Sequence, residues 1–351
     1  MKDIWENILI LPNSSIVDAI KIIDKSGLRI ALVADKDKNL LGTVSDGDIR
    51  RSIIDNISLD SPISHIMNTS PFYANKHEPS ETIKAKMQKN NILAMPVLEN
   101  NKIIGLETLL TSNKVENHEN IVFIMAGGFG RRLNPLTLNC PKPMLELNGK
   151  PILETTINNF KSYGFKRFII STHFMPEIIK DYFQDGSDLE VDIEYVDENE
   201  PLGTGGALGL LPKSIPNKPI IMINGDVLTN TDYNKLLEYH NSNGFLATVV
   251  VRDYEHQVPF GVIQSENFKI KDIVEKPSYK YFVNAGIYVL SPSIYNSVKK
   301  DQKIDMPDLL KEHMNFDEGI GIYPLHEYWT DIGSPEDFKK AKSDIDILTN
   351  D

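Results

Sequence analysis

IVFIMAGGFGRRLNPLTLNCPKPML, Ile121 to Leu145, begins as a continuous apolar run, then gives two adjacent glycines, a third one residue later, two arginines, and a lysine set between prolines. A short run rich in β-branched residues and closed by glycine predicts a strand buried on both faces. A glycine turn straight after such a strand lets a phosphate approach backbone N–H groups, because no Cβ stands in the way. The spacing is not that of a dinucleotide fingerprint, since Leu133 stands where a third glycine is needed, and no G-K-[ST] of a phosphate-loop ATPase follows. Pro135, Pro141 and Pro143 exclude a long helix and predict an extended course for the loop. On these residues alone, a solvated basic loop is the competing reading of Arg131, Arg132 and Lys142.

Working outward, the strand-like stretches RFIIST, DIEYV, PIIMINGD, LATVVV, GVIQ and AGIYVLS alternate with helical ones such as PILETTINNFKSYG, MPEIIKDYF and DYNKLLEYHNSNG. That rhythm predicts an α/β fold with a mostly parallel sheet covered on both faces, and ligands at the carboxyl ends of its strands. Asp226 closes IIMINGD at one such end.

Upstream the rhythm differs. IVDAIKIIDKSG, LRIALVAD, LLGTVS and DGDIRRSII are followed, about 60 residues on, by SETIKAKMQKNNI, LAMPVLE and IIGLETLLTS, which is repeat behaviour. Gly42 answers to Gly105. Residues 1–57 and 58–115 are therefore expected to be two copies of one small unit, 116–120 a polar linker, and 121–351 the second domain.

The chain has 351 residues, enough for two domains, and a formal charge of −12. That balance argues against nucleic acid or an anionic membrane as partner, while leaving room for a local basic pocket. A single cysteine, Cys140, excludes an intramolecular disulfide and a cysteine-built metal cluster. The N-terminal apolar run is too short for a secretory signal and no later stretch approaches a membrane span, so a cytoplasmic protein is expected. The eight histidines show no zinc spacing, and His173, at a strand end, is expected to be structural.

AGGFGRRLNPLTLNCPKPML resembles the signature of the sugar-1-phosphate nucleotidyltransferases, A-G-G-x-G-x-R-L-x-P-x-T, a spacer, then P-K-P. EPLGTGGAL, NGD, EKP, NAGIYVL and W-x-D-I-G-S-P continue the resemblance in the family's order, from about Ile121 to Ile347. It implies a Rossmann-like, GT-A-like domain that joins a nucleoside triphosphate to a sugar 1-phosphate and releases pyrophosphate. Such in-line transfer between two polyanions depends on positioning and charge neutralisation rather than on a covalent nucleophile. By the resemblance, Arg132 and Lys142 would neutralise the phosphates, with Gly127, Gly128 and Gly130 cradling them. Asp226 and Asp331 would hold Mg²⁺, a hard cation commonly bound by one or two carboxylates plus phosphate oxygens. For both aspartates a capping role is the alternative. Gly203 and Thr204 of EPLGTGGAL would face the base, and Gly261, Glu275, Lys276, Asn284 and Gly286 the sugar phosphate. Arg131 falls at a variable position of the signature, and a surface role is as good an expectation.

The repeated half resembles a tandem pair of CBS domains, in which G-x-x-[ST]-x-x-D contacts the ribose of an adenosine ligand. GTVSDGD supplies Ser45 and Asp48; in the second copy Thr108 is kept but Thr111 replaces the aspartate, so one adenine-nucleotide site or none is implied, the pair being otherwise a packing or dimerising module. The combination resembles a bacterial subgroup that includes glucosamine-1-phosphate guanylyltransferases of legionaminic-acid biosynthesis, which implies GTP, glucosamine 1-phosphate and a homo-oligomer. Mannose 1-phosphate, heptose 1-phosphate, or a UTP or CTP donor stays open, as does a catalytically inactive sensor of nucleotide-sugars.

Overall fold

Alternate residues of the first strand, His118–Met125 (β1), enter different cores. Val122 and Ile124 pack on one face of the sheet and Ile121 and Phe123 on the other, all almost fully buried. The same two-residue alternation divides Ile221 and Ile223 from Ile220 and Met222, which is why this strand region reads as an unbroken apolar run. The computed structural model describes residues 4–90, 92–109 and 117–349, and clusters into two units, Met1–Lys114 and Val115–Asp351.

In the second unit, β1 is followed by Phe165–Thr172 (β2), Asp192–Asp197 (β3), Ile220–Asn224 (β4), Ala247–Gln257 (β5), Ser278–Leu290 (β6) and Ile320–Leu325 (β7). They form one sheet in the order β3-β2-β1-β4-β6-β5-β7. Only β6 runs antiparallel to its neighbours, so the sheet is mostly parallel as expected. One face is covered by helices Ile152–Ser162, Pro176–Phe183 and Tyr233–Asn243, through Ile157, Phe160, Ile179, Phe183 and Leu236. The other is covered in part by Met306–His313, through Met306, Leu309 and Leu310. A smaller core of Leu133, Leu145, Leu147, Ile152, Leu228 and Ile332 lies under the loop that follows β1. Beyond Asp253, β5 and β6 run on into an exposed ribbon that carries the hairpin Val262–Glu266 and Lys269–Val274.

β1 starts at His118, so His118–Asn120, expected to belong to a linker, are sheet residues. Their polarity is matched locally: the His118 ring stacks on Phe165 at 4.3 Å and donates to Asn234, and the Asn120 amide donates to the Pro219 carbonyl at 2.7 Å. Residue 116 lies outside the described residues.

The first unit contains the repeat. Each copy has a short strand parallel to a central one that forms an antiparallel hairpin: Leu9–Ile10, Ile30–Ala34 and Leu40–Ser45, then Ala74–Asn75, Ala94–Glu99 and Lys102–Thr108. Gly42 opposes Val33 and Gly105 opposes Val97, each beside a register shift, so the two glycines do correspond. The segment that follows residue 57 packs on the first copy: Ile16 N–H bonds to the Ser61 carbonyl, Asn68 and Thr43 exchange backbone bonds, and Ile63 is buried in the first copy's core. Thr108 ends the last strand, whereas Thr111 lies outside the described residues. Among the described residues no helix is long and apolar enough to cross a membrane.

Candidate active site

The carboxyl ends of β1 and β4 meet where glycine is required. Gly225 N–H bonds to the Met125 carbonyl at 2.8 Å, and a Cβ on Gly225 would stand 2.8 Å from that same oxygen and 3.2 Å from Pro143. With the backbones this close, the chain turns at Asp226 into the short strand Val227–Thr229.

That strand pairs antiparallel with Trp329–Asp331, in a register that sets Val227 opposite Asp331, and the Ile332 N–H closes on the Asp226 carbonyl at 3.1 Å. Two aspartates about a hundred residues apart in sequence are thus adjacent, held by main-chain bonds over the apolar contacts of Leu228 and Ile332. Lys142 joins them. Its Nζ donates to Asp226 Oδ2 and lies 3.8 Å from Asp331 Oδ1, and the lysine is 8% exposed. Asp226 Oδ1 is buried without a hydrogen-bond partner. Burial foremost, then the neighbouring Asp226, pushes the Asp331 carboxyl above its ordinary range, against the opposing charges of Lys142 and Arg132.

The prolines do not keep the loop extended, as expected from sequence. Arg131–Leu133 and Lys142–Met144 are single 3₁₀ turns. Pro141 precedes the second turn and accepts from Met144 N–H at 2.8 Å, and this turn carries the Lys142 side chain into the protein. Gly130 has φ +62°, and a Cβ there would meet Thr137 at 3.0 Å and the Lys142 Cβ at 3.2 Å, so Gly130 serves the close packing of the loop. Gly128 faces open space, and Gly127 lies against Glu198 and His173. Arg132 is exposed, with Nη1 3.6 Å from the point a Cβ on Gly333 would occupy; Asp331 Oδ2 stands at the same distance from that point. Arg131 lies over the Phe129 ring at 5.0 Å, which gives it a local role on the loop's surface.

The other expected residues form two further groups. Gly203 takes φ +81° with no room for a Cβ beside Asp305 and the Ile304 carbonyl. Thr204 N–H bonds to Asp305 Oδ1 at 2.9 Å, and its hydroxyl accepts from Met306 N–H at 2.9 Å. Both therefore fasten the glycine turn to the start of the Met306 helix, a structural job the sequence did not announce. Asn284 bonds through its amide to the Tyr288 hydroxyl and the Gly286 N–H, and Gly286 leaves room for Asn224. Gly261 faces Glu275 Oε2 across the exposed ribbon, with Lys276 N–H bonded to the Phe260 carbonyl. Among the described residues, no hydrogen bond or ion pair joins Glu275 or Lys276 to Lys142 or Asp226.

Sequence reasoning passed over Glu198, which is 8% exposed between the two glycine loops. It lies in the acidic run DENEP, where nothing distinguishes it from its exposed neighbours. His173, beside it, donates from Nδ1 to the Glu198 carbonyl at 2.7 Å.

In the first unit Ser45 and Asp48 bond to each other. Ser45 Oγ donates to Asp48 Oδ2 at 2.7 Å and accepts from Asp48 N–H, a capping box on helix Asp46–Ile54, and Arg51 pairs with the other carboxylate oxygen. Ser15 and Asp18 form the same box on helix Ile16–Ser26.

The donor set at Asp226 and Asp331 suits a hard cation: two carboxylates, oxygen only, one oxygen buried without a partner. Among the described residues no group of three or more His, Cys, Asp or Glu is arranged as a metal cage, so such an ion would take its remaining ligands from substrate or water.

The family model described as nucleotidyl transferase matches residues 121–346, and that described as CBS domain matches 2–55 and 63–106. The chain is 33% identical over 226 residues to a probable mannose-1-phosphate guanylyltransferase 1 of Oryza sativa subsp. japonica, covering 61% of this chain and 62% of that one. It is 32% identical over 235 residues to a mannose-1-phosphate guanylyltransferase of Mycobacterium tuberculosis, covering 65% of each. The match thus spans just under two thirds of the length of these relatives. Among solved structures, HddC from Yersinia pseudotuberculosis superposes with a TM-score of 0.51 at 29% identity, over 64% of this chain and 99% of that one, and the same protein has been solved complexed with GMP-PN.

Proposed function

The chain belongs to the nucleotidyl transferase family, and from that premise we propose that it transfers GMP from GTP to a hexose 1-phosphate, giving a GDP-sugar and pyrophosphate. The observation that carries this is the convergence of Lys142, Asp226, Asp331 and Arg132 beside an open glycine loop at the carboxyl ends of β1 and β4. Relatives named as mannose-1-phosphate guanylyltransferases support guanine as the base and favour mannose 1-phosphate as acceptor. Glucosamine 1-phosphate, with a place in legionaminic-acid synthesis, is the second acceptor, and it rests only on the resemblance of this CBS and transferase combination to the bacterial subgroup named above.

The acceptor phosphate oxygen attacks the α-phosphorus in line, and the bond to pyrophosphate breaks. Arg132, exposed beside Asp331, would meet the charge that builds on the leaving group. Lys142 holds the Asp226 carboxylate in one orientation from a buried position, and the bare backbone at Gly128 would let phosphate oxygens come close to N–H donors. Asp226 and Asp331 would hold Mg²⁺, which supplies neutralisation of phosphate charge when bound. The Gly203–Gly206 turn, fastened to Asp305, would carry the base, and the ribbon residues Gly261, Glu275 and Lys276 the sugar. A homo-oligomer and an adenine nucleotide at Ser45 and Asp48 belong to the same proposal.

The test is pyrophosphate release from GTP, ATP, UTP and CTP, each with mannose, glucosamine and glucose 1-phosphates. GTP should give turnover, and Asp226→Asn should lower it by at least about a thousandfold with the fold retained. Nucleotide-sugar binding without release from any pair would instead identify a sensor, and near-normal turnover of Asp226→Asn would remove that residue from the metal site.

A further inference from the structure

Glu198 is a buried carboxylate for which the transfer chemistry above has no use. It sits just after β3 and makes three connections. Oε1 accepts from the hydroxyl of Ser171, a fully buried residue near the end of β2. Oε2 accepts from the Leu202 N–H at 3.0 Å, immediately before the Gly203–Gly206 turn. Its backbone carbonyl accepts from His173 Nδ1, which in the neutral ring leaves the lone pair on Nε2. On the fourth side lies Gly127, where a Cβ would stand 2.9 Å from Glu198 Oε1. The first glycine loop therefore rests against the same carboxylate that ties down the second.

From these contacts we infer that Glu198 is a positioning residue that sets the spacing between the two glycine loops and so the fit of the nucleoside triphosphate; this rests on the transferase reading for the identity of that ligand. Both carboxylate oxygens act as acceptors at a site water hardly reaches, so removing them orphans the Leu202 N–H and frees the turn behind it. The sugar phosphate, expected at the ribbon, would be bound by residues outside this network. Gln is isosteric and can keep both contacts, accepting from Leu202 N–H and donating to Ser171 Oγ once that hydroxyl turns its own proton away.

The test uses the full chain with GTP binding measured by calorimetry in Mg²⁺, KM for mannose 1-phosphate, and hydrogen exchange of backbone amides. Glu198→Ala should weaken GTP by about tenfold or more, keep KM for mannose 1-phosphate within about threefold, and speed exchange over residues 202–206. Glu198→Gln should stay within about threefold of wild type on all three. Unchanged GTP affinity in Glu198→Ala overturns the inference, and so does equal loss for both substrates. A Gln variant as weak as the Ala variant also overturns it, since charge rather than positioning would then be the cause. If Glu198→Ala does not fold, Ser171→Ala, which removes one of the two carboxylate contacts, should weaken GTP by about two- to fivefold without affecting the acceptor, and no change there overturns the inference. A wild-type chain that binds GTP but releases no pyrophosphate sinks the transferase reading and leaves the Glu198 comparison of GTP affinity and exchange intact, whereas one that binds no triphosphate overturns both.

Discussion

Replacing Lys142 by methionine keeps most of the length and the apolar body of the side chain while removing its charge from between two carboxylates. The lysine side chain is 10% exposed, that of Asp226 24% and that of Asp331 45%. Breaking a fully buried pair by deleting one partner costs about 3–5 kcal/mol, whereas an exposed pair is worth about 0–1 kcal/mol. With the cation buried and water reaching part of both anions, the loss lies between these limits, at about 2 kcal/mol. For a unit of this size the melting temperature should fall by about 4–8 °C. Mg²⁺ should recover much of it, because an ion at 100 times its Kd adds about 2.7 kcal/mol to the state that binds it. In the wild type Lys142 already occupies Asp226 Oδ2, so the same Mg²⁺ should raise its melting temperature by less. The only tryptophans are Trp5 and Trp329. Trp329 lies two residues before Asp331 and donates to the Ala285 carbonyl at 2.9 Å, so its fluorescence in a Trp5→Phe background reports unfolding at the site. A melting temperature within 1 °C or so of wild type in EDTA, or an equal gain from Mg²⁺ in both proteins, would refute the reasoning.

Gly130→Ala forces a side chain into the left-handed region and against Thr137 and Lys142, and should cost about 1–3 kcal/mol of stability and lower turnover, as thermal unfolding and pyrophosphate release would show. His240 is buried between the hydroxyls of Thr248 and Ser291, and burial pushes its pKa down to about 4. The unfolded chain takes up that proton near pH 6.5 and the folded one does not, so the stability present above pH 6.5 is lost as pH falls toward 4, by about 3 kcal/mol. His240→Gln should flatten that slope in denaturant titrations at successive pH values; an unchanged slope would assign it elsewhere. Ser45→Ala should cost the first unit about 1 kcal/mol through loss of the cap. If the pair also binds adenine nucleotide, AMP should protect the wild type and not the variant in the same melt.

Much of the fold could be read from the chain because its signals are local. The apolar run of β1, buried on both faces, and the glycines after it place a strand end and a turn without reference to any distant residue. The N-terminal repeat is legible for the same reason, since Gly42 and Gly105 take equivalent places in two hairpins. Local reasoning failed where a polar segment found tertiary partners: His118 and Asn120 read as linker, yet Phe165, Asn234 and Pro219 make them part of the sheet. It failed again at Glu198, because a carboxylate in an acidic run has the same composition whether it faces water or Ser171 and Leu202.

By itself the sequence determined the α/β class and the tandem unit ahead of it, since each depends on residue type and short-range spacing, and through its resemblance to a family signature it singled out Arg132, Lys142, Asp226 and Asp331 as candidates for the phosphate chemistry. Only the tertiary structure decided which of them meet. The antiparallel pairing of Val227–Thr229 with Trp329–Asp331 brings Asp226 beside Asp331, and a 3₁₀ turn sends Lys142 between them. The same holds for Gly203 and Thr204, whose contacts with Ile304, Asp305 and Met306 come from chain a hundred residues away. Main-chain bonds and packing over such separations leave no periodicity in the sequence, so they become visible only once the sheet has formed.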